Sequence, residues 1–161
     1  SCQNTQALRN TRYLRAHAGI DERVRELGIA VKLWAKGAGV CGAASRHLSS
    51  YTFTLLVIYF MQVSTDVNLP CLPTSAFEEG MAGEEDSKVQ DLRSNWSCSL
   101  GLEDLLWRFF HFYTREFFWG HEVVSPRLGS RLFVRDARFA RLRGRWATRL
   151  HVVQVPLQLE G

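Results

Sequence analysis

The amino-acid sequence predicts a mostly helical α+β fold with a few short strands. Hydrophobic residues make up 46% of the 161 positions, which is enough for a packed core. Four stretches space their apolar residues as helices do, and two short stretches before prolines are typical of strands. The predicted helices cover residues 5–19, 22–36, 51–63 and 100–119, and the predicted strands cover residues 122–125 and 150–155.

Charge is distributed unevenly along the chain. The net charge is +4 and the isoelectric point is near 9.1, which weakly favours an anionic partner. The stretch from Arg127 to Arg149 holds eight arginines and one acid, whereas the stretch from Glu78 to Asp91 holds six acids and one lysine. For the basic stretch, contact with RNA or phosphate and a solvated arginine-rich face are equally good interpretations.

The cysteines indicate neither a disulfide framework nor a metal site. There are four, and they are scattered without a C-x-x-C pair or a nearby histidine at ligand spacing. We therefore expect free thiols in a reducing compartment. The longest apolar run, residues 51–63, is too short for the roughly 20 residues that span a bilayer.

Composition divides the chain into three parts. Residues 1–77 are rich in helical patterns, residues 78–98 form an acidic stretch rich in Gly and Ser that is typical of a surface loop, and residues 99–161 continue the first domain. The chain begins without a methionine and opens in helix-like sequence. We therefore expect it to belong to a longer protein.

Two lysines in the second helical pattern are the first candidates for chemistry. Lys32 and Lys36 are four residues apart, so they lie on one side of a helix, beside Trp34, which we expect to be buried. The chain has three lysines against seventeen arginines. A compact ammonium suits a point contact to phosphate, although paired lysines on a helix are more often a solvated face.

The next helical pattern begins with Ser49, Ser50 and Tyr51. A helix N-terminus presents free N–H groups that suit phosphate, and a tyrosine in the first turn can stack on a base. The plainer interpretation is that serine caps the helix and tyrosine fills the core. For these three residues alone, the plainer interpretation is the better one.

The aromatic helix and the arginines that follow it give a weaker signal. The aromatic density from Leu100 to Trp119 is typical of a packed core. If the next segment is helical, its arginines form one stripe with phenylalanines between them, which is a pattern compatible with RNA binding. The candidate RNA-binding residues are Arg127, Arg131, Arg135 and Arg138.

Taken together, several short motifs resemble those of the noncanonical nucleotidyltransferases, the family of terminal uridylyltransferases and noncanonical poly(A) polymerases. A later stretch, FFHFYTREFFWGHEVVS from Phe109 to Ser125, is most similar to the mitochondrial RNA-editing terminal uridylyltransferases. The order and spacing of the motifs are more specific than any one of them. The short motifs are NTQALRNTRYLR (Asn4–Arg15), DERVR (Asp21–Arg25), VKLWAK (Val31–Lys36), LSSY (Leu48–Tyr51) and LPCLP (Leu69–Pro73).

This resemblance implies a fold, a reaction and a set of nucleotide contacts. The fold would be the helical nucleotide-gripping module of a DNA polymerase β-like nucleotidyltransferase, of the poly(A) polymerase-associated type. An RNA 3′-hydroxyl would attack the α-phosphate of UTP and release pyrophosphate, with Mg²⁺ (or Mn²⁺) stabilising the charge. The implied UTP contacts are Asn10 and Thr11 at the ribose, Lys32 and Lys36 at the triphosphate, Ser50 at a phosphate, and Tyr51 stacked on uracil.

The chain departs from the family pattern at two places. The family's Gly-Ser motif and D-x-D carboxylates are absent, so the resemblance places the metal and the catalytic carboxylates in an upstream domain and none in this chain. The base-reading motif I-E-D-P is replaced by Val153-Gln154-Val155-Pro156, so both of its carboxylates are missing. ATP as the substrate and an inactive RNA-binding scaffold therefore remain alternatives to UTP transfer.

The resemblance also implies partners and a location. The partners would be UTP, an RNA 3′ end and a multiprotein RNA-editing or RNA-processing complex, with no membrane. The location would be mitochondrial, with the cytoplasm as the alternative.

Overall fold

The computed structural model describes residues 2–42, 47–77 and 83–135. Its helices follow one another with short connections, and a 3₁₀ turn at Thr74–Phe77 lies between the third and the fourth. Within the described residues the helices are α1 (Cys2–Ile20), α2 (Glu22–Gly37), α3 (Ser50–Val63), α4 (Glu84–Asn95) and α5 (Leu102–His111).

The prediction of a mostly helical chain is confirmed, whereas the predicted strand at residues 122–125 is wrong. Over the described ranges the β structure consists of isolated bridges, among them a parallel one between Cys41 and Leu48 and an antiparallel one between Glu122 and Phe133. Pro126 has no N–H to extend the second ladder, and the chain turns back at residues 126–129. The predicted strand at residues 150–155 lies outside the described residues.

Helix α3 is the centre of the core. Every residue from Leu55 to Gln62 is buried, and α2 packs along this helix. An apolar helix surrounded by protein on all sides needs no amphipathic pattern. No described helix combines the length and apolarity that a membrane crossing requires.

Helix α2 begins where the sequence predicts. Asp21 is its N-cap, and the carboxylate accepts a hydrogen bond of 2.9 Å from the backbone N–H of Arg23. The Arg23 side chain also pairs with Asp21 and donates to the carbonyl oxygens of Cys98 and Leu100, so it fixes the entry to α5. Val24, Leu27 and Val31 form the buried face. Cys41, Cys71 and Cys98 are free, as predicted.

The acidic stretch that we predicted to be a loop contains a helix. Glu84–Asn95 form α4, which packs on α1 although it has no fully buried residue. Val89 and Leu92 contact the core, and Arg12 of α1 pairs with Glu85 at 2.9 Å. Three acids in the first turn also favour the positive end of the helix. These contacts with α1 stabilise a helix whose own sequence is polar.

The aromatic helix is shorter than predicted. Helix α5 ends at His111, and Phe112–Glu116 form one wider π-helical turn, closed by a 2.8 Å bond from the Phe117 N–H to the Phe112 carbonyl. Trp119 lies beyond this turn. Phe112, Tyr113 and Phe117 are all buried, as the aromatic density predicted.

Candidate functional site

The predicted phosphate site lies where α2 ends and α3 begins. Lys36 is in the last turn of α2, and the connecting loop returns directly to the start of α3. Cys41 and Leu48 form a bridge, and the Cys41 Sγ lies 3.5 Å from the Ser50 Oγ. The C-terminus of α2 and the N-terminus of α3 are therefore at the same end of the helix pair.

Lys32 and Lys36 supply the positive charge at this end. Lys32 is half-buried and Lys36 is exposed. Neither lysine forms an ion pair with a described residue. By contrast, Arg12 of α1 and both Arg23 and Arg25 of α2 form ion pairs with acids. Two ammonium groups one helical turn apart, with no carboxylate partner among the described residues, can donate hydrogen bonds to the oxygens of a polyphosphate.

Trp34 is not the buried neighbour that we expected. Its side chain is 47% exposed, and its ring packs edge-on against Phe110 of α5, with the ring centroids 4.6 Å apart. Residues 32 and 34 are separated by about 200° around a helix, so Lys32 and Trp34 are on opposite sides of α2. Trp34 therefore anchors α2 on α5 and leaves the lysine side open.

Ser49, rather than Ser50, caps α3. The Ser49 Oγ accepts a 3.2 Å bond from the Thr52 N–H and lies 2.9 Å from the Thr52 hydroxyl oxygen. The Ser50 side chain is exposed and has the Cys41 thiol as its neighbour. Because capping occupies Ser49, the Ser50 hydroxyl and the first N–H groups of α3 can face a ligand.

Tyr51 follows Ser50 in the first turn of α3. Its side chain is 36% exposed, and burial raises the pKa of its hydroxyl. Burial is also the largest cause that raises the pKa of Tyr13 on α1. The Tyr13 hydroxyl donates to the Pro126 carbonyl at 3.0 Å. Tyr51, partly exposed in the first turn of α3, can therefore stack its ring on a base.

The ribose contacts predicted on α1 are partly described. Thr11 is exposed on α1, two residues before Tyr13. Asn10 lies in the same helix, but its side chain is outside the described residues. The structure therefore brings together the end of α2 and the start of α3, and it leaves the contacts of Asn10 and Thr11 with the ribose as predictions.

The arginine stripe required a helix after α5, and the described part of that segment is not helical. Arg131 and Arg135 lie in irregular and turn structure, because residues 121–134 fold back on themselves around the Glu122–Phe133 bridge. The Arg131 guanidinium binds the buried Glu122 at 2.7 Å and the carbonyl of Glu116. Arg127 is half-buried, Arg135 is exposed, and Arg138 lies outside the described residues.

A buried polar cluster was missed in the sequence. The His17 Nδ1 lies 2.9 Å from the Tyr13 carbonyl oxygen, which makes it the donor, and the Gln62 amide lies 3.3 Å from the His17 Nε2. The same amide donates to the Pro126 carbonyl at 2.9 Å. These contacts hold α1 and α3 against the turn at Pro126, so the cluster has a structural role.

Two further groups limit the chemistry that these residues can perform. Burial raises the pKa of the Cys71 thiol, which disfavours a nucleophilic thiolate. Among the side chains that the structure describes, no group of three or more His, Cys, Asp or Glu residues could hold a metal ion.

The chain is similar in sequence to known proteins. Residues 101–153 match the family model described as "Cid1 family poly A polymerase". Human terminal uridylyltransferase 7 is 30% identical over 99% of this chain and 11% of that protein, and the zebrafish (Danio rerio) poly(A) RNA polymerase GLD2 is 34% identical over 80% of this chain and 27% of that protein. The chain thus spans about a quarter or less of these relatives.

Two solved structures share the fold. The structure of the GLD-2/RNP-8 complex is 30% identical, with a TM-score of 0.64 over 83% of this chain and 43% of the matched chain. RNA editing TUTase 1 from Trypanosoma brucei, in complex with the UTP analogue UMPNPP, has a TM-score of 0.60 over 80% of this chain and 29% of its own. At 23% identity, the second likeness is one of fold.

Proposed function

Because the comparisons support the Cid1-type family of poly(A) polymerases and terminal uridylyltransferases for this chain, we propose that it is the nucleotide-holding part of an RNA uridylyltransferase. The observation that carries the proposal is that Lys36, one turn after Lys32, lies in the last turn of α2, at the end of the helix pair where α3 begins. This arrangement offers two ammonium groups, free N–H groups and an aromatic ring to one ligand.

Each residue of the site has a proposed role. Lys32 and Lys36 bind the triphosphate of UTP, and the Ser50 hydroxyl binds one phosphate at the start of α3. Tyr51 stacks on the base, and Asn10 with Thr11 contacts the ribose. Holding the triphosphate and base at once fixes the α-phosphate for attack by an RNA 3′-hydroxyl.

Divalent metal, Mg²⁺ or Mn²⁺, would supply charge neutralisation at the transferred phosphate. The described residues do not fit such an ion. We assign its carboxylates to a part of the protein outside this sequence, because the family's D-x-D pair does not occur in it. The role of this chain is then to bind and orient the nucleotide.

ATP is the second candidate substrate. The GLD2 relatives are named as poly(A) RNA polymerases, and Tyr51 can stack on adenine as well as on uracil. Gln154 and Val155 replace the carboxylates of the base-reading motif, which removes one basis for preferring uracil. An inactive RNA-binding scaffold of the same fold would bind RNA but neither nucleotide.

Competition binding tests the proposal. A fluorescent UTP analogue is bound to the full chain and displaced with UTP or ATP. Lys32→Ala and Lys36→Ala should each weaken UTP binding by about tenfold, since each removes a charge-assisted contact. Lys88→Ala on α4 is the matched control and should leave binding unchanged. Unchanged UTP affinity in the variant that carries both lysine substitutions would refute the site. Stronger displacement of the analogue by ATP than by UTP would favour the poly(A) polymerase alternative.

The resemblance to RNA-editing enzymes leads to two further proposals. We place the protein in the mitochondrion and in a multiprotein RNA-processing complex. Fractionation of cells that express the tagged protein tests the location, and a cytoplasmic signal would contradict it. Sedimentation of the same lysate with and without ribonuclease tests whether the protein belongs to a complex that RNA does not hold together.

A further inference from the structure

Three arginines from three different helices line one open groove. Arg15 comes from α1, Arg25 from α2 and Arg93 from α4. The groove has a volume of about 430 Å³, and Ala18, Gly19 and Glu22 complete its lining. We name it the arginine groove. It is separate from the nucleotide site, because none of its lining residues belongs to the set around Lys32, Lys36, Ser50 and Tyr51.

Packing of α4 against α1 builds the groove. A Cβ at Gly19 would lie 3.0 Å from the Val89 Cγ1, so the small residue lets α4 approach α1 closely. The ion pair between Arg12 and Glu85 holds the first turn of α4 on the same helix. Arg93, two turns further along α4, is thereby brought beside Arg15.

The groove has an excess of positive charge. Glu22 is the acid in its lining, and it pairs with Arg25 at 2.7 Å. Arg15 and Arg93 form no hydrogen bond or ion pair with another described residue. Arg93 lies near Asp21, whose pKa it helps to lower, but the carboxylate of Asp21 is already bound by Arg23. Two guanidinium groups therefore remain for an outside anion.

The position of the groove relates it to the nucleotide site. Thr11, Arg15 and Gly19 are spaced four residues apart, so they follow one another along one face of α1 with a rise of about 6 Å per step. Thr11 is the proposed ribose contact, and Arg15 is the next residue along that face. A strand that leaves the nucleotide site along α1 would meet the arginine groove.

We propose that the arginine groove binds the phosphate backbone of the RNA, with Arg15 and Arg93 each contacting a phosphate. This inference rests on the proposed function, which makes RNA the acceptor. Guanidinium groups often bind phosphate oxygens in a bidentate manner, and such contacts with phosphate carry no base preference. The adjoining cavity shares Arg15 and Gly19, but its two arginines, Arg12 and Arg15, are matched by two acids, Glu85 and Asp86, and Arg12 already pairs with Glu85. The arginine groove, with three arginines and one acid, is the more positive of the two.

Fluorescence anisotropy with labelled single-stranded RNA of about twelve nucleotides tests the groove. The full chain is titrated with oligo(U) and oligo(A) at several salt concentrations. Arg15→Ala and Arg93→Ala should each lower the affinity about fivefold to tenfold for both sequences at low salt. The double variant should reduce the slope of log affinity against log salt by about 1.4, which corresponds to two lost phosphate contacts. Arg115→Ala, an exposed arginine outside the groove, is the matched control.

Each other outcome has a defined meaning. The inference is overturned if the double variant binds RNA with unchanged affinity. It is also overturned if Arg115→Ala lowers the RNA affinity as much as the groove variants do. An equal loss of UTP affinity in the double variant also overturns it, because the groove would then belong to the nucleotide site. If the protein binds neither UTP nor ATP and the groove variants still weaken RNA binding, the proposed function fails and the groove stands. Arg15→Lys and Arg93→Lys keep the charge and should retain most of the salt slope.

Discussion

The hydroxyl group of Tyr59 donates a 2.7 Å hydrogen bond to the Oε1 of Glu122, 63 positions further along the chain. Tyr59 lies in the middle of α3, and both side chains are buried. Arg131 binds the same carboxylate through two nitrogen atoms, and the backbone N–H of Phe118 donates to it at 3.2 Å. One carboxylate thus connects the central helix to the segment that follows α5.

Removing this carboxylate should destabilise the protein. Glu122→Ala leaves the Tyr59 hydroxyl buried without an acceptor and separates Arg131 from its partner, and we expect a loss of about 3 kcal/mol in the free energy of unfolding. Urea denaturation followed by circular dichroism measures the change. Glu116→Ala is the matched control, because Glu116 is exposed and its pair with His111 should contribute less than about 0.5 kcal/mol. Equal stability of the two variants would contradict the role of Glu122.

The first three helices could be predicted because their signals are local. Asp21 and Ser49 sit at N-cap positions, and each accepts the hydrogen bond that an N-cap side chain is expected to accept. The phosphate site could be proposed for the same reason, since Lys36 and Ser50 are close in sequence.

The remaining features depend on partners that are distant in the sequence. Helix α4 exists because α1 supplies Arg12 and room for Val89, and neither contact is visible in the acidic stretch itself. His17 looks like a surface residue of α1 until Gln62 is placed beside it. Trp34 fits the apolar stripe of α2 by spacing, but it packs against α5 and stays half-exposed. The arginine groove likewise requires three helices to be positioned first.

The N-cap of α2 makes stability depend on pH. A hydrogen bond from the Arg23 side chain, together with the Arg23 backbone N–H, holds the pKa of Asp21 below its ordinary value despite the opposing effect of burial. The contribution is therefore fully present above about pH 4 and is lost as the pH falls through the lowered pKa of the folded state. Asp21→Asn keeps a capping oxygen without the charge, so it should be less stable than the unmodified protein at pH 6, and the difference should be smaller at pH 3, below the ordinary pKa of Asp. Asp21→Ala should be about 1 kcal/mol less stable than Asp21→Asn at both values.

Gly129 should tolerate no side chain. Its φ is +58°, and a Cβ there would lie 2.8 Å from the Cβ of Cys71. Gly39 has a similar φ of +71° but nothing within 4 Å of the added atom. We expect Gly39→Ala to cost about 1 kcal/mol from backbone conformation alone, and Gly129→Ala to cost about 1–3 kcal/mol more, because the Cys71 segment must shift. Thermal unfolding of both variants measures the difference, and equal melting temperatures would show that the segment yields freely.

Tyr51 provides the test of base stacking that is independent of the lysines. Tyr51→Ala removes the ring and should weaken UTP binding by about tenfold, since base–aromatic stacking is worth ~1–3 kcal/mol. Because stacking accepts any base, ATP should lose affinity by a similar factor. Tyr51→Phe keeps the ring and removes the hydroxyl group. Because burial raises the pKa of that hydroxyl, the group is neutral near pH 7. Its removal should therefore leave the affinities for UTP and ATP within about twofold. A large loss in Tyr51→Phe would instead assign the contact to the hydroxyl group, and a loss for one nucleotide alone would make Tyr51 a base-selecting residue.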